Sequence, residues 1–185
     1  MGNENGIIAF DTETTGLLVP GAASLDDQPQ IIELYAGKFN EDGEQTGEFH
    51  ALLDPGKPLP EIIKKITGIT DDDLKGMPKF DEVFDEMAQF FCGAKVLTAH
   101  NLEFDKCMLG NELARIDKLL DFPWPPTQIC TVIKSLGYEG YRLSLAKLYA
   151  HLFDGETFAA HRADVDVRAQ AKCFFEMMKR GDILL

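Results

Sequence analysis

The chain has 185 residues, 45% of them hydrophobic and 26% charged, which fits a soluble globular protein of one domain (1–185) with a core of ordinary size. A formal net charge of −13 speaks against a protein that coats a nucleic-acid duplex, because phosphate neutralisation by Lys and Arg supplies most non-specific affinity. No apolar run is long enough to span a bilayer, and the N-terminus lacks the basic start and apolar core of a secretory signal.

In chain order, Gly6–Phe10 is a short apolar run of strand type ending in Asp11. Residues Leu17 to Pro29 hold Pro, Gly, Ser and two Asp and read as a loop. Ile31–Phe39 is a second strand, Glu41–Glu44 a turn, and Glu48–Leu53 a third strand, giving a meander. After a Pro-rich linker, a short helix is expected near Glu61–Ile66. Phe80, Val83, Phe84, Met87 and Phe91 recur at helical spacing, with Gly93 closing that helix. Val96–Ala99 is a fourth strand. A helix is predicted from Leu102 to about Leu119, broken by Pro123-Trp124-Pro125-Pro126. Ile129–Thr131 is a fifth short strand, followed by helices near Val132–Leu136 and Ser144–Phe153 and a last one from about Arg162 to Arg180. A meander followed by alternating helix and strand predicts an α/β fold, a mixed sheet with helices on both faces. Cys92, Cys107, Cys130 and Cys173 are scattered and are expected to be reduced thiols, mostly buried, in a reducing cytoplasm.

Three segments carry acids in settings that suit metal chemistry. Asp11 and Glu13 lie two apart at a strand end, so their carboxylates share a face and repel unless a cation sits between them. Asn101 and Asp105 are four apart at a helix start, with Asn101 well placed as an N-cap and Glu103 off that face. His161 opens the last helix and Asp166 lies five residues on. Asp164 competes as a ligand but suits the helix dipole. A histidine there can take a proton from water near neutral pH. Taken singly, each acid also has a structural reading as a solvated strand end, a cap or a dipole partner. His50 and His151 read as structural or solvated. The −13 charge is compatible with nuclease chemistry if divalent cations meet the phosphate, or if only a chain end is gripped.

Phe10-Asp11-Thr12-Glu13-Thr14-Thr15-Gly16, His100-Asn101-x-x-Phe104-Asp105 and His161-x-Ala163-x-x-Asp166 together resemble the three motifs of the DnaQ-like 3′-to-5′ exonucleases, in their DEDDh branch. Within that motif the spacing from His161 selects Asp166 over Asp164. The resemblance spans nearly the whole chain. It implies an RNase H-like fold of five strands, the second antiparallel to the rest. It implies two Mg²⁺ or Mn²⁺ ions held by Asp11, Glu13, Asp105 and Asp166, with Asp11 bridging, and His161 as the base that activates water. Such ions clamp the attacking and leaving oxygens roughly 3.5–4 Å apart. Thr14, Thr15, Gly16 and Leu17 would hold the terminal nucleotide from one side, with Ile66, Thr67, His100, Asn101 and Phe104 nearby. Thr67-Gly68-Ile69 resembles the family's loop after the third strand.

The expected activity is release of nucleoside 5′-monophosphates from single-stranded 3′ ends, DNA favoured over RNA, by a cytoplasmic enzyme without membrane association. An exoribonuclease resembling oligoribonuclease or RNase T is the alternative within the family. A domain that binds nucleic acid or protein without cutting is the alternative outside it. The chain runs only a few residues past its last predicted helix, so no tethering tail is expected. That favours a stand-alone nuclease or one with a non-covalent polymerase or repair partner.

Overall fold

The computed structural model describes residues 6–159 and 162–185. Its elements are β1 (Ile7–Thr14), a 3-10 turn (Leu25–Asp27), β2 (Ile31–Phe39), β3 (Gln45–Leu52), α1 (Glu61–Thr67), α2 (Asp71–Leu74), α3 (Phe80–Phe91), β4 (Val96–Ala99), α4 (Leu102–Arg115), β5 (Thr127–Cys130), α5 (Thr131–Lys134), α6 (Leu136–Glu139), α7 (Leu145–Leu152) and α8 (Ala163–Arg180). The strands form one sheet in the order β3-β2-β1-β4-β5. β2 runs antiparallel to β1 and β3, while β4 and β5 run parallel to β1. This is the predicted mixed sheet with its second strand reversed.

Two cores sandwich the sheet, and the two-residue period of β1 divides it between them. Ile8 and Phe10 point to the side of α3 and α4, packing with Met87, Phe91, Met108 and Leu109. Ile7 and Ala9 point to the side of α7 and α8, packing with Tyr149, Val167 and Phe174. Gly37 on β2 also faces α8. A Cβ there would lie 2.7 Å from the ring of Phe39, so only glycine lets that ring fold back over its own strand. A small third cluster of Ile32, Leu59, Ile69 and Leu74 seats α1 and α2 at one end of the sheet.

Several boundaries differ from the sequence reading. β1 continues through Asp11 and Glu13 to Thr14, so both acids lie inside a strand rather than at its end. The helix carrying Asp105 stops at Arg115, well before the proline cluster. Asp117 adopts a left-handed backbone (φ 55°), and the Lys118 and Asp117 N–H groups donate to the carbonyls of Leu113 and Ala114. That is a Schellman ending in which Asp stands where glycine is usual. The single turns α2 and α6, and the 3-10 turn inside the expected loop, carry no long-range periodicity and escaped the sequence reading. Of the four cysteines only Cys173 is buried; Cys92 and Cys107 are exposed, which corrects the expectation of mostly buried thiols.

Candidate active site

The second half of β1 changes what it shows to each face. After Ile7 and Ala9, the same side carries Asp11 and Glu13, and α8 crosses that side. Asp166 lies in the first turn of α8, its N–H donating to the Arg162 carbonyl at 2.9 Å. One carboxylate oxygen each from Asp11, Glu13 and Asp166 comes within 4.8 Å of the others. The sheet's strand order reverses direction around β1, so this cluster sits at the crevice where open α/β sheets usually bind ligands.

Asp105 reaches the cluster from the opposite face. It is 2% exposed, and its Oδ1 accepts from the Thr12 N–H (3.1 Å) and the Thr12 hydroxyl (2.8 Å). Thr12 lies between Asp11 and Glu13 in sequence and points the other way, so one side chain docks α4 onto the strand that carries both acids. Asp105 is therefore tied beside the three-carboxylate group rather than counted within it.

Without a cation this much negative charge resists ionisation. Burial first, and then the charges of Asp105, Glu13, Asp166 and Glu33, hold the Asp11 carboxyl well above the usual carboxylate range. Burial together with Asp166, Glu33 and Asp105 pushes Glu13 up to about 7, with Arg162 opposing. Burial raises Asp105 to about 7 despite the two Thr12 hydrogen bonds. An all-oxygen donor set in which Asp11, Glu13 and Asp105 hold their protons more tightly than ordinary carboxyls fits a hard divalent cation, which would displace those protons.

The residues expected to hold a nucleotide divide into two groups. Leu17 (81% exposed) and Ile66 (46% exposed) present apolar surface to solvent, and Phe104 is half-buried against the α3–α4 core. Beside Gly16, a Cβ would meet nothing nearer than Pro29 at 4.0 Å, so its backbone borders open space. The other polar members are committed within the chain. Thr14 Oγ1 donates to the Gly16 carbonyl (2.7 Å), and Thr15 Oγ1 accepts from the Gln30 N–H (3.0 Å). Thr67 Oγ1 donates to the Ile63 carbonyl and accepts from the Ile69 N–H, closing α1. Arg115 holds the same loop against α4 by donating to the carbonyls of Leu25, Gln28 and Pro29.

His100 and Asn101 also differ from expectation. The His100 ring bridges the Thr131 hydroxyl and the Leu143 carbonyl, each at 3.0 Å, and burial lowers its pKa to about 4. A neutral imidazole with both nitrogens engaged staples the end of β4 to the segments after β5. Asn101 takes a left-handed backbone (φ 84°) and its side chain makes no capping bond, so its position as N-cap is not matched by the expected chemistry. It lines a cleft of about 390 Å³ with Glu103, Lys106 and Arg142. His161 lies outside the described residues. A surface cleft of about 720 Å³ between the β2–β3 turn and the later half of α8 contains none of the four acids.

Two participants escaped the sequence reading. Thr12 reads as an ordinary strand residue. Glu33 is a lone acid in the apolar run Ile31-Ile32-Glu33-Leu34-Tyr35, and that contrast was the available signal. It is fully buried directly opposite Glu13 in the β1–β2 register. Glu33 accepts from His50 Nε2 (2.8 Å), Arg162 Nη2 (2.9 Å) and Nε (3.3 Å), and the Ala163 N–H (3.4 Å). Burial alone would raise its pKa, but the hydrogen bonds from Arg162, His50 and Ala163 outweigh it and hold the carboxylate below its ordinary value.

The family model described as "Exonuclease" matches residues 8–174. The chain is 35% identical to the DNA polymerase III subunit epsilon of Treponema pallidum, over 92% of this chain and 75% of that protein. It is 33% identical to the PolC-type DNA polymerase III of Halalkalibacterium halodurans over 93% of this chain, yet spans only 11% of that much longer protein. Among solved structures, the nuclease domain of 3′hExo, a DEDDh family member bound to rAMP, superposes with a TM-score of 0.76 at 18% identity, covering 98% of this chain and 96% of that one. Exonuclease X in complex with 5′ overhanging duplex DNA gives 0.68 at 21%, covering 96% and 94%. These structures share the fold.

Proposed function

This chain belongs to the DnaQ-like, DEDDh exonuclease family and is a 3′-to-5′ exonuclease, and we propose that it releases nucleoside 5′-monophosphates one at a time from single-stranded DNA ends. The observation that carries the proposal is the meeting of Asp11, Glu13 and Asp166 within 4.8 Å at the end of the sheet, with Asp105 pinned alongside. Asp11, Glu13, Asp105 and Asp166 would hold two divalent cations, Mg²⁺ or Mn²⁺. When bound, such ions supply charge neutralisation at a phosphodiester and lower the pKa of water.

The chain's own residues do the rest. His161 receives the proton of the attacking water. Leu17, Ile66 and Phe104 offer apolar surface to the terminal sugar and base, and the Gly16 backbone permits close approach. Thr14, Thr15 and Thr67 shape that wall through their internal hydrogen bonds. His100 serves by fixing the β4–α4 turn that presents Asp105, and Asn101 turns the chain into α4 with its left-handed backbone.

DNA is the favoured polymer because the two bacterial relatives at 33–35% identity are DNA polymerase III proteins. The same likeness supports a polymerase partner and a cytoplasmic place of action, and among the described residues no helix is long and apolar enough to cross a membrane. The test uses matched 5′-labelled DNA and RNA strands with Mg²⁺, Mn²⁺ or EDTA. The expected result is metal-dependent shortening from the 3′ end with 5′-mononucleotide product, faster on DNA. Faster loss of RNA reverses the polymer assignment, and no shortening with either ion overturns the proposed chemistry. His161→Ala should lower the rate by about 10²–10⁴-fold, the range for a lost general base.

A further inference from the structure

Arg162 is the one residue of the third acidic segment, among those described, whose charge is positive, and none of the steps above uses it. Its guanidinium is gripped along one edge: Nη2 and Nε donate to the two oxygens of buried Glu33 at 2.9 and 3.3 Å. Its side chain is nevertheless 47% exposed. The planar fork keeps further donors, on Nη1 and the outer side of Nη2, beyond the edge that Glu33 holds.

Glu33 lies directly opposite Glu13 in the β1–β2 register, so the guanidinium that Glu33 holds stands beside the acid cluster. Pairing with Glu33 occupies only one edge of the guanidinium, through Nη2 and Nε, and His50 and the Ala163 N–H share that carboxylate. A buried carboxylate that locks half of an arginine, leaving the other half presented beside a site for phosphodiester chemistry, is an arrangement suited to a phosphate oxyanion. On a chain of net charge −13, such a fixed cation also gives an anionic strand end a local point of attraction.

We propose that Arg162, held by Glu33, is a phosphate-contacting residue whose free edge binds the non-bridging oxygens of the terminal nucleotide's 5′-phosphate. That group is the scissile diester in the substrate and the monophosphate in the product. Glu33 acts through Arg162 and is a positioning residue. The inference rests on the hydrolase reading of the acid cluster.

The experiment compares dTMP with thymidine as inhibitors of the full chain in the presence of Mn²⁺, for wild type, Arg162→Gln, Arg162→Lys and the double variant Glu33→Gln/Arg162→Gln. Removing a charge-assisted contact should weaken dTMP by roughly ten- to a hundredfold while thymidine is unchanged. Arg162→Lys should fall between, because one ammonium cannot serve Glu33 and a phosphate as a fork does. The double variant leaves no buried unpaired charge, so it guards against misfolding; it should lose dTMP binding with its melting temperature and Mn²⁺ affinity retained. Unchanged dTMP inhibition in the double variant overturns the proposal, as does equal weakening of dTMP and thymidine. If wild type neither shortens a strand nor binds dTMP, the hydrolase reading falls and takes this inference with it.

Discussion

Glu13, half-buried, and Glu33, fully buried, face each other across β1 and β2, and their surroundings drive them in opposite directions. Glu33 is answered from within the chain by Arg162, His50 and an amide N–H, and stays ionised. Glu13 is held up to about 7 by burial and by the charges of Asp166, Glu33 and Asp105, with Arg162 opposing. Burial alone therefore does not decide the state of an acid; the source of its counter-charge does. A carboxylate balanced by the protein builds structure, whereas one left for an outside cation builds a site.

The contrast is most strongly tested at its acidic pole. Asp11→Asn should lower exonuclease activity by roughly 10³-fold or more, the order lost with a principal electrostatic contact. The same change should raise the melting temperature of the ion-free protein, because it removes one of several mutually repelling acids. Loss of activity with loss of ion-free stability would mean that Asp11 belongs to the structural kind.

At the other pole the sign reverses. Arg162→Ala leaves Glu33 buried with His50 and one amide as partners, and should destabilise the fold by about 3 kcal/mol. Glu33→Gln should cost less, since the half-exposed Arg162 can be hydrated. Chemical denaturation of both variants checks the order.

A smaller effect follows from proton linkage. Folded Glu13 binds its proton more tightly than the unfolded chain does, so the native state carries more protons between the ordinary value of 4.5 and about 7. Ion-free stability is therefore full below 4.5 and falls as pH rises through 7, by on the order of 3 kcal/mol from this group. Glu33 contributes in the opposite sense, stabilising above its ordinary pKa and losing that contribution as pH falls. Mg²⁺ should accordingly raise the melting temperature more at pH 8 than at pH 5.

The parts of this arrangement that the sequence revealed are those governed by short periods. The alternation in β1 places Asp11 and Glu13 on one face, and the apolar spacing of α3 and α8 identifies what each buries. Where α4 ends was not legible, because an Asp in left-handed conformation does the work usually marked by glycine. Glu33 was visible as an acid in an apolar strand, but its partner lies 129 residues away and only folding brings them together. His100 matched a motif position, yet its two hydrogen bonds depend on segments 31 and 43 residues further on. Long-range pairing of polar groups is the physical content that local patterns lack.

The most direct measurement is an NMR titration of the Glu13 and Glu33 side-chain carboxyls in the ion-free protein, repeated with Mg²⁺. Glu13 should titrate near 7 and Glu33 below its ordinary 4.5, and Mg²⁺ should remove the Glu13 transition near neutrality while leaving that of Glu33 in place. Two carboxyls titrating together near 4.5, or a Glu13 transition indifferent to Mg²⁺, would contradict the division between an acid the fold neutralises and acids kept for a cation.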